Sequence, residues 1–342
     1  MSATKLKDIA SALGLSYSTV SRALKDNYRI SEETRNRVKA YADKIKYKPN
    51  LAAQSLRNNR TRSIGVLVSN ISNSFFSEVL DGIESIGYEK NYQVMITQSL
   101  ESPENELKQM ENLISRSVDG LLVSLCSTSN SVELLKETHL SGTPVVFFDR
   151  ISALFETHKV VADNCGGSYN LTKHLLENGY KKIAHITSSP ELSIAIERLE
   201  GYKKALAEYN VPFDEELVKH CLHGGMLIEE TEKAVDELLK LEKSPDAIMT
   251  ASDRITINTI TILHNKNIAI PEKIAVAGFS NFSAPQIIAP PLTTIRQPAF
   301  EMGKMAAELL IRLIESKKPV DAFEKIILET ELVVRKSTIR KR

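Results

Sequence analysis

A short segment near the start of the chain carries side chains that can recognise nucleic acid. Arg22 has a forked guanidinium that can donate two hydrogen bonds to the edge of a guanine, and Tyr17 and Ser18 can also reach base edges. Small hydroxyl side chains beside them suit contacts to phosphate oxygens, which fix the register of a protein on a duplex. These are Ser16, Thr19 and Ser21. These residue types predict recognition of DNA, provided that the side chains lie on one exposed helix face.

The surrounding residues predict three short helices that position this segment. The first has apolar residues at helical spacing and stops at Gly14, which can adopt a left-handed conformation. Its apolar positions are Leu6, Ile9, Ala10 and Leu13. Ser16 is a good N-cap for a second helix from Tyr17 to about Leu24, and a third is predicted from Ser31 to about Ile45. Two short helices joined by a glycine-containing turn form a helix-turn-helix, whose second helix lies in the major groove.

The charge of the chain is distributed unevenly. The whole sequence has a formal net charge of +1, but residues 1–62 hold 14 Lys/Arg against 5 Asp/Glu, a net charge of +9. The remaining residues hold 30 Lys/Arg against 38 Asp/Glu, a net charge of −8. A basic head on an acidic body indicates a polyanionic partner for the head alone. The alternative is a plain three-helix bundle with a solvated basic surface.

Several classes of protein are excluded by what the 342 residues lack. No run of ~18 or more apolar residues predicts a membrane span, and the N-terminus has no apolar signal region. Cys126, Cys165 and Cys221 are far apart, which is typical of a reducing cytoplasm and not of a metal site. Phosphate-loop, nucleophile-elbow and zinc-protease motifs are missing. We therefore predict a cytoplasmic protein that is not an enzyme and has neither cofactor nor metal.

Beyond Ser63 the pattern alternates between strand and helix. The strand-like runs are Ile64–Val68, Val94–Thr97, Gly120–Ser124, Pro144–Phe148, Ile183–Thr187, Ala247–Ala251 and Ile274–Phe279. The helical runs between them include Phe75–Glu89, Pro103–Ser115, Ser168–Asn178, Ile194–Tyr209, Leu227–Leu241 and Ile255–Lys266. This alternation predicts parallel sheets covered by helices, and ligands of such sheets bind beyond the carboxyl ends of the strands.

Specific motifs in the head, the linker and the start of the body resemble those of the LacI/GalR family of bacterial transcription regulators. They are LKDIASALGLSYSTVSRAL (6–24), ISEETRNRV (30–38), YKPN (47–50), AAQSLR (52–57) and TRSIGV (61–66). The resemblance continues over essentially the whole chain. It implies an all-α helix-turn-helix head on an α/β body of two doubly wound lobes, like a periplasmic binding protein.

The resemblance also assigns a role to the linker. Residues Leu51–Arg57 would form a hinge helix that orders on DNA, because a helix below ~12 residues is marginal alone. Leu56 would wedge into the minor groove and Ala53 would face the hinge of a partner. The predicted DNA-contacting set is completed by Leu6, Arg29, Asn50 and Arg57. A flexible solvated linker is the alternative.

The predicted domain organisation follows from these elements. Residues 1–49 are the head, residues 50–62 the hinge and linker, and residues 63–342 the effector-binding and dimerisation body. Lobe one is expected at about 63–161 and 292–322, and lobe two at about 162–291 and 323–340. A helix over Ala299–Ile314 should pack on lobe one, and the last strands, about Lys325–Leu328 and Glu331–Val334, should finish lobe two.

The resemblance places candidate effector contacts at strand ends. They are Asn73, Phe75, Phe76, Asp149, Arg198, Ser252, Asp253, Ser280 and Asn281. Asp149 can accept two adjacent hydroxyls, and Arg198 has a fork suited to hydroxyls or a carboxylate. Ser280 and Asn281 stand where the family usually has two aspartates, which favours an acidic effector. Each residue also has a structural alternative as a cap, an ion-pair partner or part of the core.

Together these features predict a sequence-specific DNA-binding regulator of carbohydrate-related genes. The resemblance implies that this regulator is a repressor. A homodimer would bind palindromic double-stranded DNA, under control of a sugar, sugar acid or sugar phosphate. No membrane partner is expected. The alternatives are a solute-binding protein with no DNA role and a regulator controlled by a protein partner.

Overall fold

The computed structural model of the protein describes residues 6–47, 60–316, 320 and 322–340. The chain forms two compact units, Met1–Thr61 and Arg62–Arg342. Within the described ranges, no helix combines the length and apolar character needed to cross a membrane. The predicted hinge residues Asn50, Ala53, Leu56 and Arg57 lie outside the described residues.

The head contains the three predicted helices: α1 (Leu6–Leu13), α2 (Tyr17–Ala23) and α3 (Glu32–Lys44). Gly14 ends the first helical segment at φ +63°, the left-handed conformation expected there. The Ser16 hydroxyl accepts a hydrogen bond from the Thr19 backbone N–H and so caps α2. Apolar side chains from all three helices, such as Ile9, Val20 and Val38, are fully buried and form the head core. The helix-turn-helix prediction is confirmed.

The first lobe of the body is a six-stranded parallel sheet. Its strands are β1 (Ser63–Val68), β2 (Gln93–Gln98), β3 (Gly120–Val123), β4 (Val145–Phe148), β5 (Lys159–Ala162) and β11 (Lys325–Leu328), in the order β11-β5-β4-β3-β1-β2. Its helices are α4 (Ser74–Lys90), α5 (Pro103–Ser115), α6 (Val132–Leu140) and α11 (Ala299–Glu315). Alternate residues of β1 enter two cores, one against α4 and α11 and the other against α5 and α6. Both faces of the sheet are therefore covered, as parallel sheets require.

The second lobe repeats this architecture. Its strands are β6 (Ile183–Thr187), β7 (Val218–His220), β8 (Ala247–Thr250), β9 (Ala275–Phe279), β10 (Thr293–Arg296) and β12 (Glu331–Val333), in the order β12-β10-β9-β8-β6-β7. Among the described strands of this sheet, β12 alone is antiparallel to its neighbour. Its helices are α7 (Asn164–Glu177), α8 (Ser193–Glu208), α9 (Ile228–Lys240) and α10 (Asp253–Asn265). Helices α7 and α8 cover one face, while α9 and α10 cover the other.

The predicted ends of the lobes need two corrections. Strand β10 belongs to the second sheet through its pairing with β9, although the sequence predicts residues 292–322 in lobe one. Strand β11 belongs to the first sheet, where Lys325–Leu328 pairs with Lys159–Ala162, so its assignment to lobe two was wrong. The chain returns to each lobe by hydrogen bonding to an open strand edge. Helix α11 on lobe one and β12 on lobe two lie where they were expected.

Glycines allow close helix pairs in both lobes. A Cβ atom on Gly82 of α4 would lie 2.1 Å from the Phe300 carbonyl oxygen, and one on Gly303 of α11 would press on the Val79 carbonyl oxygen. In lobe two, a Cβ on Gly201 of α8 would lie 2.1 Å from the Cys165 carbonyl oxygen. The backbones therefore approach more closely than any larger residue permits.

Candidate functional site

Helix α2 presents a polar face to solvent. Val20 and Ala23 point into the head core, whereas Tyr17, Ser18 and Arg22 are exposed. The Ser16 hydroxyl lies 2.8 Å from both the Ser18 and the Thr19 hydroxyl oxygens, so these side chains are ordered by one another. The N-terminal turn of α2 therefore combines an exposed guanidinium with a compact group of hydroxyls, the chemistry used for base and phosphate contacts.

Two other predicted DNA contacts have different surroundings. Arg29 is exposed in the loop before α3, and its Nε donates to the Tyr28 hydroxyl at 3.1 Å. Leu6 is half-buried and packs against the head core. The structure thus gives Leu6 a packing role, while Arg29 and Tyr28 form an exposed pair. Ser21 is half-buried on α2.

The carboxyl ends of the two sheets face one another and form the candidate cleft. Asp149 follows β4 at φ +57°, a conformation that costs a non-glycine residue energy and that is concentrated at functional sites. It is 4% exposed, and burial raises the pKa of its carboxyl, although the charges of Arg150 and Arg198 partly oppose this. The Ile151 backbone N–H donates to the Ser193 hydroxyl of lobe two at 3.3 Å. Residues of both lobes therefore meet around Asp149.

Arg198 projects from α8 into this region and is only 2% exposed. Its Nε donates to Asn164 Oδ1 at 2.9 Å, its Nη1 donates to the Ala251 carbonyl oxygen, and its Cζ lies 3.9 Å from the centroid of the Phe279 ring. Burial lowers the pKa of Arg198 to about 10, despite the charge of Asp149. The cleft therefore contains a guanidinium that the protein itself holds in one orientation.

A buried ion pair in the cleft was missed by sequence reasoning. Arg150 Nη1 lies 2.6 Å from Glu101 Oε1, and Ser127 donates to Glu101 Oε2 from both its backbone N–H and its hydroxyl. Burial raises the pKa of Glu101, but Arg150 and Ser127 outweigh it and hold that pKa below its ordinary value. Gly224 of lobe two lies close to this pair. The sequence signalled this ion pair only by placing a charged residue, Glu101, shortly after a predicted strand.

Several buried polar atoms near the ends of strands have no hydrogen-bond partner. Such atoms are normally paired, so each one in a folded protein needs an explanation. Among the described residues, four of them stand at the carboxyl ends of β2, β3, β4 and β6: Ser99 Oγ, Ser124 Oγ, Arg150 Nε and Thr187 Oγ1. Their position at four strand ends points to a polar ligand that would supply the missing partners.

The aromatic candidates are less accessible than expected. Phe75 and Phe76 are both buried in the lobe-one core, with ring centroids 5.2 Å apart in an edge-to-face arrangement. Asn73 caps α4 by accepting a hydrogen bond from the Phe75 backbone N–H at 2.9 Å. Arg150 Cζ lies 6.0 Å from the Phe76 ring centroid. The structure thus shows these three residues shaping the start of α4 beside the cleft.

The remaining candidates join the lobes at the rim. Ser252 caps α10, and Ser280 donates to Asp253 Oδ1 at 2.5 Å. Burial raises the pKa of Asp253, while the Ser280 hydroxyl and backbone N–H groups, including that of Phe75 in lobe one, partly lower it. Asn281 hydrogen-bonds to both backbone groups of Gln297. Ser280 and Asn281 therefore already have partners within the protein.

These contacts change the charge balance that was expected of the cleft. The prediction of an acidic effector rests on Arg198 and on the absence of two aspartates at positions 280 and 281. The structure adds Arg150 and Glu101 to the buried charges, beside Asp149 and Asp253. This pair is neutral overall, and Glu106 is fully buried as well. Two buried guanidiniums therefore stand among four buried carboxylates, which does not favour an acidic effector or any one sugar.

Comparisons with known proteins match both parts of the chain. Residues 5–50 match the family model for bacterial regulatory proteins of the lacI family, and residues 172–338 match the periplasmic binding protein-like domain. The transcriptional repressor PurR of Vibrio atlanticus (strain LGP32) is 31% identical over 336 residues, which cover 98% of each chain. The transcriptional regulator RegA of Clostridium saccharobutylicum is 33% identical over 339 residues, covering 98% of this chain and 100% of RegA.

A solved structure is similar over the same length. The complex of the transcriptional regulator CelR with cellobiose has a TM-score of 0.71 and 28% identity, covering 98% of this chain and 99% of that chain. The similarity therefore extends over the head and the body together, and the relatives that match are regulators of transcription.

Proposed function

Since the chain belongs to the lacI family of bacterial regulatory proteins and is a DNA-binding transcription regulator, we propose that it represses carbohydrate-related genes under the control of a small sugar-like effector. The effector would bind in the cleft between the carboxyl ends of the two sheets. The CelR relative was solved with cellobiose, which is consistent with a sugar here.

The observation that carries this proposal is a set of buried polar atoms at the carboxyl ends of the strands that have no hydrogen-bond partner. Ser99 Oγ, Ser124 Oγ and Thr187 Oγ1 can each donate or accept, while Arg150 Nε can only donate. A ligand with several adjacent hydroxyl groups can both donate and accept hydrogen bonds, so it could pair with atoms of both kinds. Asp149 would accept hydrogen bonds from hydroxyl groups of the effector. Arg198 would hold the opposite wall of the cleft in place.

The DNA-binding part of the proposal concerns two copies of the chain. The heads would place α2 in successive major grooves of a palindrome, with Arg22 at a base edge. Residues Leu51–Arg57 would form the hinge helix, with Leu56 as the wedge in the minor groove. Four exposed apolar side chains of lobe two support the pairing of bodies: Leu222, Leu227, Ile228 and Ile257.

The proposed control works through lobe rotation. Effector binding would change the angle between the lobes, and so the distance between the two hinges of the dimer. A coupling of ~1–3 kcal/mol between cleft and hinge gives roughly 5–150-fold regulation of operator affinity.

Titration calorimetry of the full chain against a neutral sugar, a uronate and a sugar phosphate tests the effector class. Ser124→Ala should weaken binding of the recognised ligand, whereas Ser115→Ala, an exposed serine at the end of α5, should leave it unchanged. Equal binding by both variants would show that Ser124 does not contact the ligand. Failure of all three ligand classes to bind would overturn the sugar proposal.

A further inference from the structure

The segment of lobe one from Asn70 to Glu78 contacts lobe two at several separate points. Arg254 Nη2 donates to the Ser72 hydroxyl at 3.0 Å, and Asn70 Nδ2 lies 3.1 Å from Met226 Sδ. At the first turns of α4, Asn281 Nδ2 donates to Glu78 Oε2 at 3.0 Å. These contacts are between protein groups and line the rim of the cleft.

Asn281 makes the most constrained of these contacts. It is 4% exposed, and its Oδ1 accepts from the Gln297 backbone N–H at 3.0 Å. Its Nδ2 donates to the Gln297 carbonyl oxygen at 2.8 Å and, with its other hydrogen, to Glu78. Only a side chain with one acceptor and a two-hydrogen donor satisfies all three partners, which is the inventory of an amide.

An aspartate at position 281 would behave differently. Its second oxygen would face both the Gln297 carbonyl oxygen and the Glu78 carboxylate, and neither of these can donate a proton. Arg296 Nη2 lies 3.8 Å from Glu78 Oε1, but its side chain is 60% exposed, so it compensates little of the repulsion. With asparagine at position 281, the contact with Glu78 is a hydrogen bond instead of a repulsion between two carboxylates. Hydrogen bonds to charged groups are stronger than those between neutral groups.

We infer that the Asn281–Glu78 hydrogen bond keeps the two lobes closed in the absence of an effector. Asn281 and Glu78 are then positioning residues that set the resting state of the switch. The buried atoms without hydrogen-bond partners, such as Ser124 Oγ and Thr187 Oγ1, belong to other strand ends. The groups proposed to meet the effector are therefore separate from this bond. The inference goes beyond the proposed function because it assigns the resting state to contacts within the chain.

The test measures the distance between the lobes in the full-length, effector-free protein. Spin labels are attached through non-natural ketone side chains at the exposed positions Glu137 of α6 and Glu191 before α8, which leaves the cysteines unchanged. Labelled chains are diluted with unlabelled protein, so that double electron–electron resonance reports distances within one chain. The wild type should show one population at the short distance.

Four variants separate charge repulsion from simple loss of packing. Asn281→Asp should lower the ratio of short to long distances by about tenfold, the scale expected for loss of one hydrogen bond to a charged group. Glu78→Ala should act in the same direction. Glu78→Gln retains an acceptor for Asn281 and should stay closed, and Glu78→Gln combined with Asn281→Asp should recover part of the short population.

Two results would overturn the inference: a wild type that is mostly open without effector, or unchanged distances in both Asn281→Asp and Glu78→Ala. Thermal melts identify a variant that fails to fold, and Glu78→Ala then carries the test alone. The sugar titrations and the distance measurement are independent. A failed sugar screen with closed wild-type lobes would reject the effector class and leave this inference standing.

Discussion

Arg198 stacks its guanidinium over the ring of Phe279, with Cζ 3.9 Å from the ring centroid. The same side chain donates to Asn164, the first residue of α7, and to the carbonyl oxygen of Ala251, just after β8, so its fork connects α8 to α7 and to the end of β8. A lysine has the charge but neither the planar fork nor the stacking surface. Arg198 therefore acts first as a positioning residue for the cleft wall.

Replacement of Arg198 by lysine should destabilise lobe two. The change leaves Asn164 Oδ1 and the Ala251 carbonyl oxygen without their donors, and we expect a loss of ~2–4 kcal/mol of unfolding free energy. Urea unfolding measures this. Arg312→Lys is the matched control, because Arg312 pairs with Glu324 at an exposed site and should change stability by less than ~0.5 kcal/mol. Equal effects of the two changes would contradict the role assigned to Arg198.

A methyl group at Gly82 should separate α4 from α11. The added Cβ would lie 2.1 Å from the Phe300 carbonyl oxygen, which is backbone and cannot rotate away. We expect Gly82→Ala to cost ~1–3 kcal/mol or more, as overpacked cores do. Glu84→Ala changes an exposed residue of the same helix and should be nearly neutral. Thermal denaturation distinguishes the two, and a neutral Gly82→Ala would reject the close packing.

Loss of the Arg22 side chain should relax base selectivity at one position. We expect Arg22→Ala to cost ~1–3 kcal/mol at its cognate base pair and little at others. Lys25→Ala, an exposed position just after α2, should instead weaken all sequences alike and reduce the salt slope by about 1. Selection from random duplexes followed by binding titrations reports both effects. Unchanged base preference in Arg22→Ala would show that Arg22 contacts only phosphate.

The proposed minor-groove wedge makes a separate prediction. Leu56→Ala should lower operator affinity by roughly tenfold or more and barely change binding to non-specific DNA, because only the specific site is kinked. Gln54→Ala in the same segment is the control. Gel-shift titrations on operator and on scrambled duplexes measure the two affinities. Parallel losses on both would exclude the wedge.

The stability of the body should fall in acid because of His185. This side chain is fully buried, and burial lowers its pKa to about 3, partly opposed by its hydrogen bond to the Met249 carbonyl oxygen. Since the unfolded chain binds this proton near pH ~6.5, its contribution is complete above that pH and is lost as the pH falls toward 3.

The measurement for His185 is unfolding free energy from pH 7.5 to 4.5 in the wild type and in His185→Phe. The advantage of the wild type should shrink by up to ~1.4 kcal/mol per pH unit below 6.5. Other histidines whose pKa burial lowers, such as His139 and His174, are common to both proteins and cancel. A difference independent of pH would mean that His185 is not the group that titrates.

Local chemistry made the head predictable from sequence. Gly14 and Ser16 act through their own backbone and neighbours, so the turn and the cap could be read from residue type alone. The long apolar strands were identifiable for the same reason. In contrast, β5 and β11 have four residues each and join across more than half of the body, which no local pattern records. The predicted end of lobe two failed for this reason.

The cleft was only partly predictable because its chemistry depends on distant partners. Glu101 is an ordinary charged residue until Arg150, 49 positions away, is placed beside it. Asn281 was identified as a departure from the usual aspartate, but its contact with Glu78 requires both lobes. Phe75 and Phe76 have the right type for stacking on a sugar, yet burial decides what they contact.

The late return of the chain to both sheets has a consequence for synthesis. Lobe one begins at Ser63 but receives α11 and β11 only from Ala299–Glu315 and Lys325–Leu328, and lobe two receives β12 from Glu331–Val333. Domains usually fold one after another as they leave the ribosome. Here the head can do so, while both lobes wait for the same last segment. Premature termination would therefore release a basic head attached to a body that is incomplete in both lobes.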